Sequence, residues 1–214
     1  MRTTEDLIET LAKDVRPMPR HGIERRMFLG MLVGGATALL LLTLLYGIRS
    51  DLNLALRDSS FWVRWIYTAS LGVGAILVTR HLARPGSEPS RWIWFLAVPV
   101  LLLMGIGITE LAHASPSEWL SLWLGRYWEV CPGRILLLSI PIFLGLLWAF
   151  RRFAPTRLSA AGAAAGLTAG AWSATLYCLH CPEVSAIFVL TWFSLGIALA
   201  TAAGVLLGRH LLRW

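Results

Sequence analysis

Six apolar runs separated by short polar segments limit what this chain can fold into. They are Met27–Ile48, Phe61–Thr79, Trp92–Leu111, Ile135–Phe150, Ser159–Cys178 and Val184–Gly208. Most are about 20 residues long, the length a helix needs to cross a hydrocarbon core of ~30 Å. The fourth is shorter and contains Pro141. In lipid the backbone must satisfy its own polar groups, which leaves the α-helix as the form these runs can take. The expectation is an all-α, polytopic membrane protein with six transmembrane helices. Composition agrees, with 57% of the 214 residues hydrophobic and 14% charged, against roughly 25% charged in a soluble domain. The first run starts at residue 27, after a polar segment, and no cleaved signal is expected.

The formal net charge is +7, almost all of it from arginine. In a soluble chain this would point to nucleic acid. Here the positive-inside bias accounts for it, and no direct nucleic-acid partner is expected. With a cytoplasmic N-terminus, segments 1–26, 80–91, 151–157 and 209–214 lie inside and hold 14 of the 19 Lys and Arg residues. Both termini are then cytoplasmic. The remaining five are Arg49, Arg57, Arg64, Arg126 and Arg134. Arg64, near the outer end of the second span, is able to snorkel toward water. Trp62, Trp65, Trp92, Trp148 and Trp214 fall near span ends, as interfacial anchors do.

The outer segments are then about 49–60, 112–134 and 179–183. In the middle one, Trp119, Leu120, Leu122, Trp123, Leu124 and Trp128 predict a short helix lying at the interface. Gly162, Gly166 and Gly170 recur at intervals of four, a spacing that lets a neighbouring helix approach closely. Gly30 and Gly34 read the same way.

Residues 1–26 form a separate cytoplasmic segment, and 27–214 the transmembrane domain. Thr3 fits a helix cap with Glu5 and Asp6 in the first turn. Leu7, Ile8, Leu11, Ala12 and Val15 then fall on one face, and Pro17 and Pro19 stop the helix. An amphipathic helix this short is marginal alone in water and must bury its stripe. The membrane surface and a partner's groove are both available. The mixed charge of its polar face favours the partner.

The chemistry concentrates in Tyr177-Cys178-Leu179-His180-Cys181-Pro182-Glu183. All three cysteines, Cys131, Cys178 and Cys181, fall on the outer side, where thiols can pair. A Cys131–Cys181 bridge is either a permanent staple or a reversible redox sensor. Cys131, Cys181 and His180, with Cys178 or His113, also suit a soft or borderline metal ion. Cysteines that only fill space are the plain alternative. Cys178-Leu179-His180-Cys181 is formally C-x-x-C, which raises a membrane thiol–disulfide oxidoreductase coupled to quinone. Such an enzyme needs a second thiol pair, and only Cys131 is left for it. No phosphate-binding loop or zinc-protease motif is present, and the span interiors are almost free of charge, which argues against transport.

The chain resembles the NrsF-type anti-sigma factors, six-span inner-membrane proteins of proteobacteria. The resemblance rests on the N-terminal stretch Asp6–Pro17, on Gly47-Ile48-Arg49-Ser50-Asp51-Leu52 and on Cys131-Pro132. It is strongest at Leu179-His180-Cys181-Pro182-Glu183 and Gly208-Arg209-His210-Leu211-Leu212-Arg213-Trp214. It implies a protein that is not an enzyme and holds no resident cofactor. Such a protein keeps an extracytoplasmic-function (ECF) sigma factor inactive at the bacterial inner membrane. The resemblance also implies that Cys131 and Cys181 respond to heavy-metal or oxidative stress, with His180 and Glu183 beside them. Cys178 departs from the family pattern. The partner-binding residues would be Leu7, Ile8, Leu11 and Val15.

Overall fold

The computed structural model describes residues 22–82, 93–151 and 158–211. The expected N-terminal helix, with Leu7, Ile8, Leu11 and Val15, lies outside them. Among the described residues all regular structure is helical. The helices are α1 (Gly22–Leu45), α2 (Leu52–Ala55), α3 (Ser59–Leu82), α4 (Ile93–His113), α5 (Trp119–Leu124), α6 (Cys131–Phe150) and α7 (Leu158–Tyr177). The last helix, α8, runs Ala186–Leu211 and widens to a π-helical turn at Val189–Phe193.

Five of these are long and apolar enough to cross a membrane: Glu24–Leu45, Ser59–Thr79, Trp94–His113, Cys131–Phe150 and Ala186–Leu211. Their outward faces carry exposed Phe28, Leu32 and Leu44 on α1 and Phe95, Leu101 and Leu102 on α4. Helix α7 differs. It is as long and has no charged residue, but it consists largely of alanine and glycine, and 13 of its 20 residues are buried. It is the axis of the bundle. Helices α8, α3 and α6 pack along it, α1 lies mainly on α6, and α4 lies on α3 and the start of α8.

The glycine spacing does what the sequence suggests. A Cβ on Gly162 would overlap the Gly204 carbonyl, and one on Gly166 would overlap the Ala200 carbonyl. One on Gly170 would sit 3.0 Å from the Ile197 Cα. The α7 and α8 backbones therefore touch. Gly30 on α1 and Gly145 on α6 form a second such contact. Without a hydrophobic drive between helices in lipid, this close packing is what holds them together.

Alternation brings the end of α1, the start of α3, the ends of α4 and α7 and the starts of α6 and α8 to one end of the bundle. Helix α1 closes there on Gly47, in the left-handed region at φ 73°. The Tyr46 and Gly47 amides both return to the Leu42 carbonyl at 3.0 Å, a helix-ending turn that favours glycine. The short helix expected between the third and fourth runs is present as α5.

Four expectations change. Helix α1 runs Gly22–Leu45 rather than Met27–Ile48. Helix α6 starts four residues earlier than its apolar run, at Cys131, because proline in a first turn has no amide to lose. Pro141 stays within α6 without ending it. Helix α8 runs Ala186–Leu211 rather than Val184–Gly208. Arg64 does not snorkel: it is 1% exposed, because neighbouring carbonyls receive its guanidinium inside the bundle.

Gly166→Leu is expected to lower stability by about 3 kcal/mol, the upper end of overpacking, because the obstruction is backbone and cannot yield. Gly105→Leu, at an exposed position where a Cβ meets nothing within 4 Å, is expected to be neutral. Thermal unfolding of the two detergent-purified variants tests the contrast.

Candidate thiol site

The turn between α7 and α8 continues the helix rather than leaving it. The Tyr177 carbonyl accepts both the His180 and Cys181 amides at 3.0 Å. Cys131 opens α6 with its amide on the Tyr127 carbonyl, 2.9 Å away. The two segments meet, and the Cys131 and Cys181 thiols hydrogen-bond to each other, unbridged and fully buried. Cys178, also buried, lies by Thr68 and Arg64 on α3. The pair the structure joins is Cys131 with Cys181.

The Cys181 thiol is held below the ordinary thiol range. The hydrogen bond from Cys131 is the largest cause, aided by the Glu183 amide and the charge of Arg64, and opposed by burial and the Glu183 carboxylate. Thiolate character is what makes a cysteine a nucleophile or a metal ligand.

His180 turns away from the thiols. Its Nδ1 lies 3.0 Å from the Gly47 carbonyl, and its Nε2 lies 3.1 Å from Arg134 Nη1. A carbonyl only accepts and a guanidinium only donates, so Nδ1 carries the proton and Nε2 receives Arg134. The ring ties the end of α1 to α6. Arg134 also lies over the Tyr46 ring, 4.7 Å from its centroid. Among the described residues no three His, Cys, Asp or Glu side chains group as a metal site. His113 lies in a separate cleft.

Other polar side chains pin the same end together. Glu183 accepts the Arg126 amide at 2.7 Å, fastening the 112–130 segment. Glu110 Oε2 accepts the Ala186 amide at 2.8 Å and the Ile187 amide at 3.3 Å, capping α8 from a neighbouring helix. Arg64 donates to the Cys181 carbonyl at 3.3 Å. The Arg49 amide donates to the Leu179 carbonyl at 3.2 Å, while the Arg49 guanidinium grips Asp51 at 2.6 and 2.7 Å. That fork holds the Asp51 carboxyl below its usual range. The stretch Gly47–Leu52 therefore lies directly on Leu179–His180, although 130 residues separate the two in the chain.

Sequence reasoning named Cys131, Cys178, Cys181, His180 and Glu183. It left Arg64, Glu110 and Arg134 out of the site. The signal for Arg64 and Glu110 was a charged residue within an apolar run, which in a membrane marks an interior partner.

Replacing Cys131 by alanine removes the donor to Cys181. The midpoint of the pH–rate profile for Cys181 alkylation is expected to move up, with slower reaction at neutral pH. Mass-spectrometric labelling across a pH series measures it.

The chain matches, over residues 11–214, the model of the NrsF family, described as negative regulator of sigma F. It is 41% identical to a probable anti-sigma-F factor NrsF of Azospira oryzae, over 99% of both chains. It is 39% identical to the anti-sigma-F factor NrsF of Caulobacter vibrioides, again over 99% of both. No solved structure matches it. A near full-length match of this kind, over a helical bundle that brings Gly47–Leu52, Cys131 and Leu179–Glu183 to one end, establishes that the chain belongs to the NrsF family.

Proposed function

We propose that this protein is a membrane-bound anti-sigma factor. It sequesters an ECF sigma factor on the cytoplasmic side and releases it when Cys131 and Cys181 meet a soft metal ion or an oxidant. The observation that carries the reading is the buried, mutually hydrogen-bonded thiol pair at the meeting point of three interhelical segments. Family membership supplies the sigma factor as partner. The role is regulatory rather than catalytic.

In this reading α7 is the sixth span, both termini are cytoplasmic, and the membrane is the bacterial inner membrane. The thiol end then faces outward. Residues 1–26 supply the sigma-binding helix, with Leu7, Ile8, Leu11 and Val15 as anchors, and 27–214 the sensing domain. The single cytoplasmic helix suits a groove on the partner.

Two chemistries act on the thiols. An oxidant takes two electrons and two protons, and a Cys131–Cys181 disulfide forms. Cys131 and Cys181 would hold a soft cation as thiolates, giving up the same two protons. Recruiting His180 as a third ligand requires it to leave Gly47 and Arg134, which frees α1 from α6. Either event favours a second arrangement of the bundle. Moving the sigma factor from mostly bound to mostly free needs about 5.5 kcal/mol of differential binding.

Cys131→Ser and Cys181→Ser are each expected to leave sigma binding intact and to blunt induction by cadmium or chromate, read as regulon transcripts. A normal response in both variants would sink the sensor. Leu7→Asp combined with Leu11→Asp is expected to derepress the regulon while the protein stays in the membrane fraction. Persisting repression would place the sigma contact elsewhere.

A further inference from the structure

Between α1 and α3 lies a groove of about 640 Å³. Both helices pack on α7, but they scarcely meet each other. Met31, Gly35 and Leu39 form one wall, Ile76 the other, and Trp172 and Leu176 of α7 the floor. The two floor residues are half-buried on a helix that is otherwise mostly buried. Apart from Glu24 at one end, the lining holds no charged residue. Helices α1 and α3 are both long and apolar enough to cross a membrane, so the groove opens sideways into hydrocarbon.

Its dimensions select the occupant. The lining face of α1 runs from Glu24 to Leu39, about 22 Å at 1.5 Å per residue. One leaflet of a ~30 Å hydrocarbon core is about 15 Å deep, so the groove can follow an acyl chain through a whole leaflet. Spread over that length, the volume leaves a cross-section of about 30 Å², whereas a helix about 10 Å across needs about 80 Å². A helix from a second copy is too wide to seat there, and a single hydrocarbon chain is not.

Gly35 points the same way. Glycine weakens a helix interior unless something needs the room. At Gly34 the need is plain, because a Cβ would overlap the Pro141 and Ile142 backbone. A Cβ on half-buried Gly35 would meet nothing within 4 Å. The space beside it is open to a group outside the described chain. At the Glu24 end, Arg25 is exposed and shares a helix face with Leu32 and Ala36, which line the groove. Glu24 is itself engaged with another group, and Arg25 is placed to receive a phosphate.

We propose that this groove holds a phospholipid, with one acyl chain between α1 and α3 and the phosphate on Arg25. The second chain lies along Phe28 and Leu32, which are exposed at the rim. The lipid fills what α1 and α3 leave open, and so fastens α1, carried mainly on α6, to the rest of the bundle. This inference rests on the helices crossing a membrane and on nothing about the thiols or the sigma factor.

The test uses the full chain, purified in mild detergent without a sigma factor. Native mass spectrometry is expected to find one phospholipid held per chain. After exhaustive detergent exchange, phosphatidylglycerol in mixed micelles is expected to raise the unfolding midpoint saturably. Diacylglycerol, which lacks the phosphate, is expected to need a higher concentration. Gly35→Phe fills the groove from its wall and is expected to hold no lipid and to show no saturable rise. Gly35→Leu serves if the phenylalanine variant does not fold. Arg25→Gln is expected to weaken phosphatidylglycerol binding about fivefold, the effect of one surface cation, and to leave diacylglycerol unchanged. The site is overturned if phosphatidylglycerol gives no saturable rise, or if the rise survives in the Gly35 variant. It is also overturned if lipid-free chains pair through this face and Gly35→Phe separates them. Equal response to diacylglycerol, or an unchanged response in Arg25→Gln, overturns the placing of the phosphate.

Discussion

Backbone contact between α7 and α8 is the constraint on which the other parts of this molecule depend. Glycines at 162, 166 and 170 let the two helices approach until only main chain separates them. Helix α3 packs on another side of α7, and Thr79 and Thr168 join the two inside the bundle at 3.0 Å. Ser173 donates to the Ile135 carbonyl on α6 at 2.9 Å. With α7 held this firmly, its C-terminal end is fixed too. The Tyr177 carbonyl then sets the course of the next four residues and places the Cys181 thiol against Cys131.

At the thiol end, long-range polar contacts do what apolar packing does in the middle. Arg64, Arg134, Glu110, Glu183 and His180 each reach a backbone or side-chain group of a different segment. In low dielectric such contacts strengthen one another, and a half-broken set costs more than an intact or fully rearranged one. An end built this way favours two discrete arrangements over gradual loosening, which is the property a switch needs.

Much of this was readable from residue order. Run length marked the helices, the four-residue glycine period marked the α7–α8 seam, and strict alternation put all three cysteines at one end. What stayed hidden depends on contacts between distant segments. An arginine near a span end snorkels or turns inward according to whether neighbours offer it acceptors, and Arg64 finds one in the carbonyl of Cys181, 117 residues away in the chain. His180 sits next to Cys181 in sequence, yet its partners are Gly47 and Arg134, which no local spacing encodes. Cys178 and Cys181 suggested a C-x-x-C pair, whereas packing sends Cys178 toward α3. The start of α6 was misplaced because Cys131–Arg134 is not apolar, and helicity there comes from the tolerance of a first turn for proline.

The π-helical turn in α8 holds one residue more than an α-helical turn would. Its distorted ladder is supported from the side, with the Thr191 hydroxyl donating to the Ile187 carbonyl at 2.9 Å and the Phe188 carbonyl at 3.1 Å, and with Trp192 Nε1 on the Trp123 carbonyl at 2.8 Å. The helix thus carries one residue of slack, stored between its capped start and its glycine-lined seam. A chain shortened by a single residue within Val189–Phe193 could close the turn into plain α-helix and keep Glu110 on one side and Gly162 on the other in register. The same deletion after Gly196 would rotate Ala200 and Gly204 off the seam by about 100°. Length variation in this helix is therefore tolerable at one place, and that place lies beside the thiols.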